Sequence, residues 1–266
     1  MTTSSTSASA DVIYVVADGI GHIQFNRPQQ RNALTFDMYS RVAEICATAP
    51  TDSSLRALVF SGVGGKAFAA GTDIALFRDF KGAEDGLAYE ARMEKILGAI
   101  EACPVPTIAA LSGACTGGGA AIAACCDLRI GSADLKFGFP IARTLGNCLS
   151  AASLAKLVSL IGPAKVTEMI LLSGLVDASE AKAMDLIAEV HPTHDEVVAR
   201  ALAIAREMCG LAPLTLRVTK ELLRRVRLDG PGAQDRDMVA LAYGSADFRE
   251  GLDSFLNKRK PQWTGR

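Results

Sequence analysis

Hydrophobic and polar positions follow different periods in the two halves of the chain. Near the N-terminus, residues 12–16 and Ile20–Phe25 are rich in β-branched and apolar side chains, and they flank Asp18 and Gly19. Two strands around an Asp-Gly pair are typical of a hairpin. Helix, strand and glycine-rich loop then alternate to about residue 134, the pattern of βαβ units. The pattern predicts an α/β fold.

The longest uncharged stretch runs from residue 103 to residue 126. Two prolines at its start oppose helix, so Thr107–Leu111 is predicted to be a buried strand. Residues 117–119 are three glycines, and residues 120–124 are good helix formers. The N–H groups of the turn would therefore lie at a helix N-terminus, where negative charge is stabilised. A strand, glycine turn and helix in this order predict an anion or oxyanion site.

Three other interpretations of this stretch compete with an oxyanion site. An uncharged run of about twenty residues can span a bilayer, but consecutive glycines and the lack of a polybasic flank argue against it. The glycines could instead serve only close packing of the helix on the strand, and that alternative stays open. A phosphate loop is disfavoured because Gly65 and Lys66 are followed by Ala67 rather than Ser or Thr.

A second small-residue loop, residues 61–73, follows the short apolar run at 57–60. It is either an ordinary flexible connection or a functional partner of the glycine turn. In the second case, a backbone N–H near Gly71 and Thr72 would converge with one from residues 117–119 on a single oxygen. Each such donor typically stabilises an enolate by about 2.7 to 4 kcal/mol.

The second half of the chain is predicted to be mainly helical. Gly162 and Pro163 interrupt a helix that begins near Ser150, and Asp177 with Glu180 forms a capping box. Glycines separate the remaining helical segments, which cover residues 195–209, 213–228, 232–243 and 246–257.

Composition narrows the function. Of 266 residues, 49% are hydrophobic and 21% charged, and the net charge of −1 gives no footprint for nucleic acid or an anionic membrane. The seven cysteines lack CxxC spacing and predict free thiols in a reducing compartment. Pro192 separates His191 from His194 and disfavours a metal site. With no secretory or transit signal recognised, a cytoplasmic location is expected.

Six stretches, taken in order, resemble the enoyl-CoA hydratase and isomerase (crotonase) superfamily across about residues 12–263. They read NRPQQRNAL, KAFAAGTDI, GACTGGGAAIAACCDLRI, KFGFPIARTLG, VTEMILLSGLVDASEAKAMDLI and DFREGLDSFLNKRKPQW. The resemblance implies a spiral of ββα units over residues 11–195, after a disordered tail at 1–10. It also implies a helical trimerisation region over 196–266, in a homotrimer or a hexamer of two trimers. The implied ligand is an acyl-CoA thioester, with no cofactor beyond its coenzyme A moiety.

The resemblance also assigns roles to individual residues. It places the oxyanion hole at the backbone N–H groups of Thr72 and Gly118, in agreement with the two loops found above. The positions that it implies along coenzyme A and the thioester are Gln29, Arg31, Ala33, Asp73, Ile74, Ala75, Phe255 and Lys258.

One departure from the family pattern bears on the reaction. Hydratases of this family carry two glutamates that move the proton and hydroxide of water, and the matching positions here are Ala121 and Ile141. Neither side chain can titrate. Because positioned acid or base groups contribute roughly 10²- to 10⁴-fold, ordinary hydration should be crippled. The loop that follows, ARTLGNCLSAAS, also differs from the family's glycine-rich segment.

Nearby polar groups that could replace the glutamates are Asp79, Glu84, Asp85, Cys115, Thr116, Arg143, Thr144, Asn147 and Cys148. Arg143 is hypothesised to hold a carboxylate on the acyl group, since guanidinium binds carboxylate in a bidentate manner; a salt bridge at a subunit contact is the alternative. Three functions follow. The first is a hydratase or isomerase-type enzyme with an unconventional acid or base. The others are a decarboxylase or lyase on a carboxylated acyl-CoA and a non-catalytic thioester-binding homologue.

Overall fold

The computed structural model describes residues 7–9, 11–51 and 54–266. Its strands are β1 (Ser7–Ser9), β2 (Val12–Ala17), β3 (Ile20–Phe25), β4 (Ala57–Gly62), β5 (Ala67–Ala69), β6 (Thr107–Leu111), β7 (Ala114–Thr116), β8 (Leu128–Ser132), β9 (Lys136–Gly138), β10 (Val176–Asp177) and β11 (Val190–His191). Its helices are α1 (Phe36–Ala47), α2 (Ala83–Glu101), α3 (Gly118–Cys125), α4 (Ala151–Leu171), α5 (Ala178–Ala183), α6 (His194–Cys209), α7 (Pro213–Asp229), α8 (Arg236–Tyr243) and α9 (Ala246–Leu256).

The strands form two sheets. The larger has the order β1-β2-β3-β4-β6-β8-β11, and the smaller has the order β10-β9-β7-β5. In the larger sheet, neighbouring strands from β3 to β11 pair in parallel, and in the smaller sheet β5, β7 and β9 also pair in parallel. In three successive units the chain passes from the larger sheet to the smaller one and then into a helix: β4-β5-α2, β6-β7-α3 and β8-β9-α4. This confirms the predicted α/β spiral of ββα units.

The N-terminal hairpin forms as predicted. Asp18 and Gly19 both have positive φ, 52° and 76°, which suits a tight turn between β2 and β3. The expected disordered tail is not seen at Ser7–Ser9, which pair antiparallel with β2 as strand β1. An edge strand presents unpaired backbone groups, so an extended neighbour can join it whatever its side chains. The other tail residues, 1–6 and 10, lie outside the described part of the chain.

Two buried clusters stabilise the fold. The larger lies between the sheets and α1 to α5, and the smaller lies on the opposite face of the larger sheet, beneath α6. There Val59 and Ile108 of the sheet pack with Val197 and Ala201 of the helix. The predicted boundary between residues 195 and 196 therefore falls inside α6, and the core extends to Cys209, because the apolar face of this helix completes it.

The helices α7 to α9 follow the core. Lys220 of α7 donates to the Asp127 carboxylate at 2.6 Å and ties this region to the end of α3. Large apolar side chains remain exposed on these helices in the single chain, among them Leu223, Phe248, Leu252 and Phe255. Trimer or hexamer formation through this region stays a prediction.

The helix α4 carries the predicted interruption. Gly162 has φ 76°, outside the helical range, and Pro163 restarts the helix behind this kink. Asp177 caps α5 by accepting from the Glu180 N–H at 2.9 Å, which is one half of the predicted capping box. The Glu180 carboxylate is instead paired with Lys165. No helix in the described residues combines the length and apolarity needed to cross a membrane.

Candidate active site

The glycine turn lies between β7 and α3. Gly117 has φ 51° and precedes the first residue of α3, Gly118, and its N–H donates to the carbonyl of Gly138 at 2.9 Å. A Cβ added to Gly118 would lie 1.7 Å from the hydroxyl of Tyr39. Any other residue at position 118 would therefore displace the turn or the tyrosine, which explains the need for glycine there.

The second loop follows β5. The N–H of Leu34 donates to the carbonyl of Gly71 at 2.8 Å, and the N–H of Asp73 donates to the carbonyl of Leu34 at 2.9 Å. In such a parallel bridge, the residue between the two bonds directs its own N–H to the other side. The N–H of Thr72 therefore points away from Leu34.

The two loops lie against each other. A Cβ at Gly117 would lie 3.5 Å from the Cα of Gly71, and one at Gly118 would lie 3.0 Å from Oγ1 of Thr72. Within the described residues, no backbone carbonyl outside α3 accepts from the N–H of Thr72 or Gly118. The structure thus brings the two predicted oxyanion residues together, with both N–H groups available to a ligand.

A chain of hydroxyl groups supports these loops. Thr72 Oγ1 lies 2.8 Å from the hydroxyl of Tyr39 on α1 and 3.1 Å from that of Tyr89 on α2. Burial raises the pKa of Tyr39 and of Tyr89, so both phenols stay protonated near neutral pH. The hydrogen bonds fix the Thr72 side chain relative to two helices, which holds its backbone in place.

A cleft with a volume of about 180 Å³ opens beside the two loops. It is lined by residues of the two loops, α2 and the segment before α4: Ala70, Gly71, Thr72, Ile74, Phe77, Tyr89, Glu90, Met93, Leu97, Thr116, Gly117, Gly118, Ala121, Phe139, Pro140, Ile141, Thr144, Leu145, Asn147, Leu149 and Ser153. Most of these side chains are apolar. Ala121 and Ile141 both face this space, so the cleft lacks titrating groups at the two positions where the resemblance expects glutamate.

The sequence interpretation missed Glu90, which lines the same cleft. Its pKa is raised by burial, an effect that the negative charge of Glu94 increases and a hydrogen bond from the Ser150 backbone N–H opposes. A signal was present in the sequence. Glu90 precedes Met93 and Leu97 by three and seven residues, so it belongs to the apolar stripe of α2.

A second cavity of about 210 Å³ adjoins the cleft. The two share the wall residues Leu97, Ala121, Phe139 and Ser153. At the rim of the second cavity, the carboxylate of Glu101 accepts hydrogen bonds from Lys156 and Arg227. Although burial opposes it, these cations hold the pKa of the Glu101 carboxyl below its usual value. These paired charges distinguish the second cavity from the cleft, whose walls are also mostly apolar.

Arg143 and the other predicted substitutes for the glutamates are distributed unevenly. Thr116, Thr144 and Asn147 line the cleft, whereas Arg143 is exposed and outside its lining. Asp85 accepts from the N–H groups of Lys81 and Gly82 at the start of α2, a capping role.

The residues predicted along coenzyme A divide into two groups. Gln29, Arg31 and Ala33 lie beside the second loop, where the carbonyl of Arg31 accepts from the N–H of Ala70 at 3.0 Å. Asp73 is paired with Arg27 at 2.9 Å. This ion pair with the Arg27 side chain lowers the pKa of the Asp73 carboxyl.

The remaining members of that set are exposed. Ile74 lines the mouth of the cleft and Ala75 follows it, both accessible to solvent. Phe255 is 83% exposed near the end of α9, and Lys258 is also exposed, with neither residue lining the cleft. Their predicted contact with the nucleotide end of a ligand bound to a neighbouring subunit is not tested by a single chain.

Two mostly parallel sheets wound into a ββα spiral, with a glycine turn at a helix start, define a class of fold that known proteins share. The sequence model of the enoyl-CoA hydratase/isomerase family matches residues 16–266. The chain therefore belongs to the enoyl-CoA hydratase/isomerase family.

Individual relatives are similar to this chain over nearly its whole length. It is similar to the enoyl-CoA hydratase domain-containing protein 2 of Bos taurus, with 32% identity over 93% of this chain and 85% of the relative. It is 30% identical to the 2,3-dehydroadipyl-CoA hydratase of Escherichia coli, over 92% of this chain and 94% of the relative. A crystal structure of an enoyl-CoA hydratase/carnithine racemase from Magnetospirillum magneticum superposes with a TM-score of 0.87 at 34% identity, covering 98% and 97% of the two chains. These likenesses confirm the crotonase-type fold.

Proposed function

We propose that the protein is an acyl-CoA thioester enzyme that stabilises a thioester enolate between the backbone N–H groups of Thr72 and Gly118. The observation that supports this most directly is the contact between the two loops at the N-terminus of α3, with both N–H groups free of backbone acceptors outside α3 within the described residues. Two donors of this kind contribute roughly 2.7 to 4 kcal/mol each to transition-state stabilisation.

The loop geometry also supports a thioester ligand. The segment that contains Gln29, Arg31 and Ala33 is hydrogen-bonded to the loop that carries Thr72. A ligand bound along that segment would enter the cleft beside the two N–H groups. The acyl group would then occupy the apolar space lined by Met93, Leu97 and Phe139.

The reaction is proposed to be proton transfer on an enoyl-CoA rather than the usual two-glutamate hydration. Ala121 and Ile141 cannot exchange a proton with water or with carbon, and both lie in the cleft. Relatives are named as hydratases of crotonyl-CoA and of 2,3-dehydroadipyl-CoA, so enoyl thioesters are the first substrates to test.

The test is a mass-spectrometric screen of the purified chain with crotonyl-CoA, a 3-hydroxyacyl-CoA, a 3-enoyl-CoA and malonyl-CoA, combined with calorimetric binding of each. Double-bond migration would support the proposal. Reversible water addition would support a thioester enzyme but contradict proton transfer as its reaction. Loss of CO₂ would favour a decarboxylase. Binding without any turnover would identify a thioester-binding homologue, and the lack of any binding would contradict all three functions.

A further inference from the structure

Glu90 stands apart from the other acidic residues of α2. With Met93 and Leu97 it forms one face of the helix, and all three side chains line the cleft. Met93 and Leu97 are 5% and 9% exposed, so this face is turned away from solvent. A carboxylate on such a face loses hydration, which costs free energy. A carboxylate with only a structural role could lie on the surface without this cost.

The Glu90 carboxylate lies near the segment that leads into α4. Burial raises the pKa of Glu90 and the backbone N–H of Ser150 opposes this rise, so Ser150 is close to the carboxylate. Ser150 caps α4 by accepting from the Ser153 N–H at 3.3 Å, and its neighbour Leu149 lines the cleft together with Ser153 and Glu90. The carboxylate therefore belongs to the part of the cleft formed by α2 and the start of α4.

Glu90 also directly follows a residue that contacts the proposed oxyanion site. The adjacent residue, Tyr89, contacts Thr72 through their hydroxyl groups at 3.1 Å. Among the described residues that line the cleft, Glu90 provides the only carboxylate, and Tyr89 provides the only other titratable side chain. Cys115, which precedes the glycine turn, is fully buried and does not line the cleft.

We propose that Glu90 is the catalytic acid and base of this site, in place of the two glutamates of family hydratases. This inference rests on the proposed enolate chemistry. With a 3-enoyl thioester, the Glu90 carboxylate takes a proton from C2, and the electron pair of that C–H bond passes to the thioester oxygen. The N–H groups of Thr72 and Gly118 stabilise the resulting dienolate. Glu90 then returns the proton to C4, the carbonyl re-forms and the double bond moves to C2–C3.

A single carboxylate restricts the reaction. Moving one proton between two carbons of the same ligand needs one group that first accepts and then donates it. Addition of water in family hydratases uses two glutamates. The cleft is thus suited to double-bond migration, and the substrate class is a 3-enoyl-CoA thioester.

The test compares Glu90→Gln with Glu94→Gln. Glutamine at position 90 can still accept from the Ser150 N–H but cannot take up a proton. Glu94 lies one turn farther along α2 and lines the second cavity but not the cleft, so it provides a control with the same change of charge. Each protein is assayed for conversion of 3-hexenoyl-CoA to 2-hexenoyl-CoA and for exchange of the C2 protons of butyryl-CoA in D₂O. Butyryl-CoA binding and thermal unfolding are measured in parallel.

The expected result is a loss of roughly 10²- to 10⁴-fold in both reactions for Glu90→Gln, with binding and the unfolding temperature unchanged. Glu94→Gln should remain within about twofold of the parent chain. If Glu90→Gln isomerised at the parent rate, the role of Glu90 would be refuted while the enolate proposal stood. Parallel loss of binding and folding in both Glu90→Gln and Glu90→Asp would show a structural anchor and refute it too. A parent chain that binds thioesters but exchanges no proton would overturn both proposals.

Discussion

The two sides of the cleft are built differently. On the side of the two loops, the groups that face the cleft are backbone N–H groups, held by tight contacts such as that between Gly118 and the Tyr39 hydroxyl. On the side of α2 and the segment before α4, the groups are side chains, and residues 142–148 are exposed. In the proposed reaction, stabilisation of the enolate therefore depends on backbone geometry, whereas proton transfer depends on which side chain reaches the cleft.

This difference explains how the backbone donors on one side can be retained while the side chains on the other side change. Donors on the main chain survive most substitutions, provided that glycine remains where a Cβ would clash. A carboxylate can be supplied from another element if it reaches the same space. Ala121 on α3 and Ile141 after β9 are apolar here, and Glu90 on α2 lies across the same cleft.

The largest effect is expected from Gly118→Ala. The added Cβ would lie 1.7 Å from the hydroxyl oxygen of Tyr39 and 3.0 Å from Thr72 Oγ1, so the turn must move. We expect a loss of at least about 10²-fold in isomerisation and proton exchange, as for removal of an oxyanion donor. The unfolding temperature should also fall.

The double variant Tyr39→Phe with Gly118→Ala is the control. Removing the hydroxyl relieves the shortest contact but leaves the Cζ atom 3.0 Å from the new Cβ. Activity should therefore recover in part, when compared with Tyr39→Phe alone. No recovery, or full activity of Gly118→Ala, would show that the tight contact does not set the position of the N–H group.

The next effect concerns pH. Burial, with a smaller contribution from Glu94, raises the pKa of Glu90, and the Ser150 N–H opposes the shift. The cation Lys156 of α4 is paired with Glu101. Because Glu90 must be ionised to remove a proton, kcat/KM for isomerisation should fall about tenfold per pH unit below this raised pKa. The acid limb should thus begin above the usual range of glutamate.

Glu94→Gln sharpens this prediction, because removing the neighbouring negative charge should move the acid limb to lower pH. Full pH profiles of the two chains, with thioester binding measured at each pH, are the measurement. An acid limb at the position of an ordinary solvated carboxyl would contradict a role for the half-buried Glu90.

A smaller effect is expected from Ala121→Leu. Ala121 lines both the cleft and the second cavity, so a larger apolar side chain there would reduce the space for the acyl group. We expect about a tenfold loss of kcat/KM for long-chain thioesters and little change for four-carbon ones, in line with the cost of a misfit in an apolar pocket. Equal losses at every chain length would place the acyl group elsewhere.

Most of the fold was predictable from the sequence because its signals are local. The Asp18-Gly19 turn, the buried strand Thr107–Leu111 and the break at Gly162 each depend on residues within a few positions of one another. The place of the whole helix α6 in the core was not predictable in this way. They depend on contacts between Val197 and strands far away in sequence.

The part of the candidate site formed by the two glycine-containing loops was predictable from the sequence. The two loops could be paired from their small residues and from the family resemblance, and the structure brings Thr72 and Gly118 together. Glu90 was missed because α2 has several other acidic residues along its length, including Glu84, Asp85 and Glu94. Glu90 differs from these residues only in lying on the apolar stripe of α2. Recognising this from the sequence requires knowing which face of the helix points toward the core.

Arg143→Met is expected to have the smallest effect and tests the remaining sequence hypothesis. Arg143 is exposed on the loop before α4 and lies outside the lining of the cleft, so isomerisation of 3-hexenoyl-CoA should change by less than about twofold. If the guanidinium instead held a carboxylate of the ligand, the variant would lose activity or binding only with a dicarboxylic thioester such as malonyl-CoA. Measuring both ligands side by side separates the two outcomes, because loss of a bidentate ion pair would weaken binding of the dicarboxylic ligand alone. Such a selective loss would mean that the loop closes over the acyl group and that the exposed side of the cleft also selects the ligand.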